Sequence, residues 1–223
     1  MVEYKIENGP AYSILRVILN PGETLVVEPG SYMLHRGEVK VSTSSLGIMS
    51  GLARMLGGGE SFFLNVFTAV TQAEIWVAPN LPGDIVPIEL NGDLYIQDMS
   101  YLAHWGDVKL SVGWRGIKGL IAEGELLWLK ASGRGRVFVN SYGAIREISL
   151  APGEKATIDN GHFVAMDASV NWGVRGVGGI KTLFFGGEGL VIDVTGPGRV
   201  WVQTRTLPAF ASVLYRYMPK AHK

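Results

Sequence analysis

Cysteine is missing from this 223-residue chain, which excludes disulfides, thiolate metal sites and cysteine nucleophiles together. No run of about 18 apolar residues occurs, so no helical membrane span is predicted. A surplus of charge is missing too. Twenty basic residues offset twenty acidic ones, and no long-range field draws the whole molecule toward nucleic acid or anionic lipid. Only 18% of residues are charged, against an apolar fraction of 47%. A surface so poor in charge is expected to be partly covered, by copies of the chain or by a bound partner. The opening MVEYKIENGP has neither the basic segment and apolar run of a signal peptide nor the Arg-rich helix of a transit peptide, so the expected compartment is the cytoplasm.

What the chain has in quantity is glycine, 30 residues, together with apolar–polar alternation, the composition of an all-β protein with many tight turns. The segment LFFGGEGLVIDVTGPGRVWVQTR, from Leu183, reads as a β-hairpin, two period-two arms around a Gly-Pro-Gly turn. Similar segments start at Gly57 (GGGESFFLNVFTAVTQAEIWVAP) and Ala122 (AEGELLWLKASGRGRVFVNSYG). Gly59-Glu60, Gly124-Glu125 and Gly187-Glu188 open the three copies at nearly equal intervals. Each copy is preceded by a turn (Asn20-Pro21-Gly22-Glu23, Asn91-Gly92-Asp93, Ala151-Pro152-Gly153-Glu154), a short strand, and Gly30-Ser31-Tyr32, Met99-Ser100-Tyr101 or Gly161-His162-Phe163. Two landmarks in the same order, three times over, predict one domain over 1–206 made of repeats at about 12–79, 83–141 and 143–206. The tail over 207–223 departs from this. Leu207, Phe210, Leu214 and Met218 recur at helical spacing and Pro208 suits a first turn, predicting a short amphipathic helix.

GGEGLVIDVTGPGRVWVQTR, LPGDIVPIEL and the Pro-Gly-Glu turns resemble the altered-inheritance-of-mitochondria type family, which is grouped by fold with the tryptophan-attenuation (TRAP-like) superfamily. The resemblance runs from about Tyr12 to Arg205. It implies three pseudo-equivalent β repeats forming a TRAP-like barrel related to a double-stranded β-helix, and no established catalytic residues. Mitochondrial members are linked to inner-membrane architecture; without a targeting sequence, this chain looks like the prokaryotic branch.

Each candidate site also admits a structural role. Glu60, Glu125 and Glu188 could meet as a carboxylate cluster for a hard cation, but each reads better as fixing the glycine-rich turn before it. His35 and His104 stand at equivalent positions where the third repeat has Met166, and the H-x-H pair of a cupin-like metal site is absent. No nucleophile elbow occurs, and Gly186-Gly187-Glu188-Gly189 lacks the Lys-Ser/Thr of a phosphate loop. Arg115, Lys118, Arg134 and Arg136 around Trp114 and Trp128 combine charge with aromatics as single-stranded RNA sites do, though arginines on a solvated face explain them equally. The most unusual segments are the apolar, glycine-studded connections 46–59, 113–121 and 173–181. They read either as an interaction surface, carried by Leu46, Ile48, Met49, Leu52, Met55, Leu56, Trp114 and Ile117, or as plugs of the barrel end.

The resulting expectation is a non-enzymatic scaffold or interaction protein without cofactor or metal. Its expected partners are copies of itself, a protein partner and a peripheral membrane contact, with nucleic acid disfavoured. An RNA-binding ring and a metal-dependent cupin-like enzyme are the alternatives.

Overall fold

The computed structural model describes residues 2–45, 63–115, 127–176 and 189–218. Glu3–Glu7 (β1), Ile14–Leu19 (β2), Thr24–Val27 (β3), Tyr32–Arg36 (β4), Val39–Ser45 (β5), Phe63–Ala69 (β6) and Ala73–Val77 (β7) come first. Three long strands follow: Ile85–Gln97 (β8), Tyr101–Arg115 (β9) and Leu127–Asn140 (β10). The last third holds Ile145–Leu150 (β11), Lys155–Asp159 (β12), Phe163–Asp167 (β13), Asn171–Gly176 (β14), Leu190–Thr195 (β15) and Gly198–Gln203 (β16), then one helix, Leu207–Tyr215 (α1). The chain is thus predominantly β with a short C-terminal helix.

Three sheets result: β1-β2-β7-β4, β11-β16-β13-β8-β10-β9-β3-β6-β5 and β12-β15-β14. The middle of the molecule is β10, flanked antiparallel by β8 from Trp128 to Asn140 and by β9 from Leu127 to Val139. Short ladders attach the other strands on either side. β3 lies against β9 through Val26↔His104 and Val27↔Ala103, and β13 lies against β8 through Ala165↔Ile96 and Met166↔Tyr95.

The hairpin reading of the repeated segment is overturned in all three copies. β6 pairs with β3 and β5, whereas β7 pairs with β2 and β4. Likewise β15 pairs with β12 and β14, and β16 with β11 and β13. Each arm already has a neighbour on both edges, so no hydrogen-bonding edge is left for its sequence neighbour. In the middle copy there is no turn at all: β10 runs straight through Ser132-Gly133-Arg134-Gly135. Gly133 takes φ +119°, where a Cβ would meet the Asp107 carbonyl oxygen at 2.1 Å, so glycine here admits the neighbouring strand and does not reverse the chain. The predicted turn at Asn91-Gly92-Asp93 likewise does not reverse the chain, because β8 is continuous through it.

Alternation places one face of each strand inside. In β2, Leu15, Val17 and Leu19 are buried, and in β7 Ala73, Ile75 and Val77. The core falls into three clusters, and the third is aromatic. Trp128, fully buried, meets Phe163 at 4.6 Å, Trp172 at 4.8 Å and Trp114 at 4.9 Å between ring centroids. Nothing small can refill that volume. Trp128→Ala is expected to lose ~4 kcal/mol of unfolding free energy, read as a lower urea midpoint by circular dichroism.

Candidate functional site

β8 ends in a 3-10 turn over Asp98–Ser100, and β12 ends in another over Asn160–His162. Together with α1 these turns border a cleft of about 430 Å³, with Gln97, Asp98, Asn140, Tyr142, Gln203 and Leu207 in its walls. A smaller hollow of about 320 Å³, walled by Tyr142, His162, Phe210 and Val213 among others, lies along the same helix. Thr206 caps α1 by accepting from the Ala209 N–H, and Pro208 sits in the first turn, as its fixed φ and missing N–H allow.

The polar groups of the cleft and of the hollow beside it are largely committed to hydrogen bonds within the chain. Asn140 Nδ2 donates to the Tyr101 carbonyl at 3.3 Å. Gln203 Nε2 donates to the Gly161 carbonyl at 2.8 Å, while its Oε1 accepts from the Tyr142 N–H at 2.9 Å. His162 Nδ1 lies 2.6 Å from the Gln203 carbonyl, and Ser100 Oγ donates to Gln97 Oε1 at 3.1 Å.

The acids are different. Burial pushes the Asp98 carboxyl up to about 6, against hydrogen bonding from the Met99 and Asp98 backbone. Glu28, which directly follows β3, is pushed up to about 7, first by burial and then by the negative charge of Asp98, with the Ser31 hydroxyl at 3.2 Å opposing. Beside them Tyr101 Oη and His104 Nδ1 are 2.8 Å apart. Burial lowers the His104 imidazole to about 4, so at neutral pH it is uncharged and provides no counter-ion for either acid. This junction between β3 and β9 holds two partly buried carboxyls whose ionisation is opposed by burial, an electrostatic cost the protein carries near pH 7.

The sequence-predicted residues are distributed elsewhere. Gly59, Glu60, Gly124, Glu125, Gly187 and Glu188 lie outside the described residues, as do Leu46, Ile48, Met49, Leu52, Met55, Leu56, Ile117 and Lys118. Trp114 is half-buried in the aromatic cluster, 5.8 Å from Trp172. His35 and His104 each bond a tyrosine three residues earlier, His35 at the surface with Tyr32 and His104 in the core with Tyr101. Among the described residues no three histidine, aspartate or glutamate side chains gather as a metal group. Trp128 offers no face to a base because it is fully buried, and Arg136 is paired with Glu89 and stacked on Tyr4. Sequence reading passed over Glu28 and Asp98, although they lie three residues before Ser31 and two before Ser100 of the repeated Ser-Tyr landmarks.

Comparison with known proteins now bears on the whole chain. The family model described as mitochondrial biogenesis AIM24 matches residues 4–205. The chain belongs to the AIM24 family. An uncharacterized protein of Streptococcus pyogenes serotype M6 is 29% identical over 98% of this AIM24-family chain and 92% of its own length. The altered inheritance of mitochondria protein 24 of Verticillium alfalfae is 26% identical over 73% of this chain, which spans 43% of that longer protein. A crystal structure of a Streptococcus pyogenes protein matches with a TM-score of 0.83 and 28% identity, covering 98% of this chain and all of that one.

The raised carboxyls imply a pH dependence. A carboxyl whose folded pKa exceeds its unfolded value favours the fold below about pH 4.5, and that contribution is lost as pH rises through about 7. Glu28→Gln is therefore expected to stabilise the protein at pH 8 by ~2 kcal/mol and to change little at pH 4.5, because both side chains are then neutral. Melting temperatures of the two proteins at both pH values check this. His104 acts in the opposite sense between pH 6.5 and 4, and comparing the two proteins at each pH cancels its contribution.

Proposed function

We propose that this AIM24-family chain is a non-catalytic cytoplasmic scaffold that works by self-association and by offering apolar surface to a protein partner or a membrane face. One observation carries the reading, the uncovered helix α1 and the turn after it. Leu207, Phe210, Val213, Leu214, Tyr215, Tyr217 and Met218 are all exposed, by 38% to 83%. No residue of α1 is buried, and it bears no charged side chain between Leu207 and Tyr215. Its contact with the sheets includes the Phe210 ring set edge-on to Tyr142 at 5.8 Å. A helix this apolar and this lightly docked is a typical groove-binding or interfacial element. β4 adds a second uncovered apolar segment through Tyr32, Met33 and Leu34.

We also infer three pseudo-equivalent β units as the frame of this surface. Support comes from the pairing orders β2-β7-β4 and β11-β16-β13, which match the upper half of β8-β10-β9, and from β3-β6-β5 and β12-β15-β14, which match its lower half. The apolar connections of the sequence reading lead from β5 to β6, from β9 to β10 and from β14 to β15, the corresponding strand pair of each unit. No helix of the described residues is long and apolar enough to cross a membrane, so the lipid contact proposed is a peripheral one.

The test is sedimentation with phosphatidylcholine–phosphatidylglycerol vesicles and with cell extract, comparing the native chain with a Phe210→Ser, Val213→Ser, Tyr217→Ser variant. Three buried apolar side chains at ~1.5 kcal/mol or more each predict at least a tenfold loss of binding. Equal binding by the variant would remove α1 from the account.

A further inference from the structure

We propose that β4 of one copy pairs antiparallel with β12 of a second copy, joining chains head to tail. The proposal rests on the self-association in the reading above and names the surfaces that would perform it.

The same contact is already made twice inside each chain. The start of β9 lies beside the end of β3, and β13 lies beside the end of β8. β4 is built like β9 and β13. All three begin with an aromatic residue after the turn (Tyr32, Tyr101, Phe163), all three pair on one side with the second arm of the repeated segment, and all three carry a register shift at the second residue. β12 is built like β3 and the end of β8. The residues that follow or close these segments, Glu28, Gln97 and Asp159, each accept a hydrogen bond from the next turn, from Ser31, Ser100 and the Gly161 N–H.

Among the described residues, β4 has β7 on one side and no strand on the other, and β12 has β15 on one side and none on the other. The consequence shows in exposure. In the two partnered strands Tyr101, Leu102, Ala103, Phe163, Val164 and Ala165 are fully buried, whereas Tyr32, Met33 and Leu34 are exposed by 38%, 46% and 37%. An apolar edge with unpaired N–H and C=O groups is a template for a further strand. The two open edges are unlike each other and complementary, so the contact is heterologous and builds a ring or a filament.

Carrying over the register of the two internal contacts, Val27↔Ala103 with Val26↔His104 and Ile96↔Ala165 with Tyr95↔Met166, sets Leu34 opposite Ile158 and His35 opposite Thr157. Leu34 and Ile158 then meet as an apolar pair, and His35 and Thr157, both at the surface of the single chain, face each other across the contact as His104 and Val26 do within it.

The absence of cysteine makes the test clean. His35→Cys and Thr157→Cys chains are co-expressed and mildly oxidised, and each is also oxidised alone. The proposal predicts at least about tenfold more linked two-chain product in the co-expressed sample, because only Cβ atoms ~3.5–4.5 Å apart bridge readily. A His35→Cys, Thr157→Cys double variant should give a ladder of linked chains. Equal linkage by either single variant alone, or linkage confined to one chain in the double variant, overturns the proposal.

Leu34→Lys supplies an independent reading. It should bring the solution mass down to the 24.2 kDa of one chain, with an unchanged circular dichroism spectrum. If the native chain is a multiple, keeps its mass in the Leu34→Lys variant and gives no cross-link, self-association stands and this contact falls. If the native chain is itself a single copy at tens of micromolar, both fall.

Discussion

Hydrogen bonds along both edges of β10 tie the molecule together. From Leu127 to Asn140 this strand has β8 on one side and β9 on the other. β3 and β13 attach to the outer edges of β9 and β8, and through them β3-β6-β5 of the first third and β11-β16-β13 of the last third join one continuous sheet. The approach of β9 to β10 needs Gly133, whose lack of a side chain leaves room for the Asp107 carbonyl. Every later feature is a consequence of which edges are filled this way and which remain open.

The all-β class, the Pro-Gly-Glu turns, the helix start at Thr206-Leu207-Pro208 and the family were all legible in the sequence. Strand partners were not. Period-two alternation reports which face of a strand is buried and says nothing about which strand lies beside it. For that reason the segments around Gly133 and Gly196-Pro197 read as hairpins, although one is an uninterrupted strand and the other sends its arms into different ladders. The same limit hid the junction at Glu28 and Asp98. A carboxylate before a turn looks like an ordinary surface acid until β9 closes over it. His35 and His104 make the point in a pair. Their local setting is the same, a tyrosine three residues earlier, yet one is at the surface and the other 4% exposed, because His35 pairs with β7 alone whereas His104 has β10 on one side and β3 on the other.

The electrostatics follow from the same packing. Two carboxyls with raised pKa values sit where β3 meets β9, and the neutral His104 beside them offers no compensation. The two carboxyls weaken this junction as the pH rises through about 6 to 7, and His104 weakens it in the opposite direction as the pH falls toward 4. By contrast, the ion pairs elsewhere, Arg199 with Asp167 and Arg175 with Asp193, join residues at the surface or partly buried, and pairs of that kind contribute little to stability. The fold is held by its apolar layers and ladders. Apolar side chains beyond those layers, on α1 and β4, are what it presents to other molecules.

The central claim is that the open edges of β4 and β12 are filled in the working protein. Amide hydrogen exchange over residues 32–36 and 155–159, measured across a hundredfold range of protein concentration, tests it most directly. The account predicts slow exchange at high concentration, comparable to that of Tyr101–Trp105 in β9, and acceleration on dilution. Fast exchange in both segments at every concentration would contradict it.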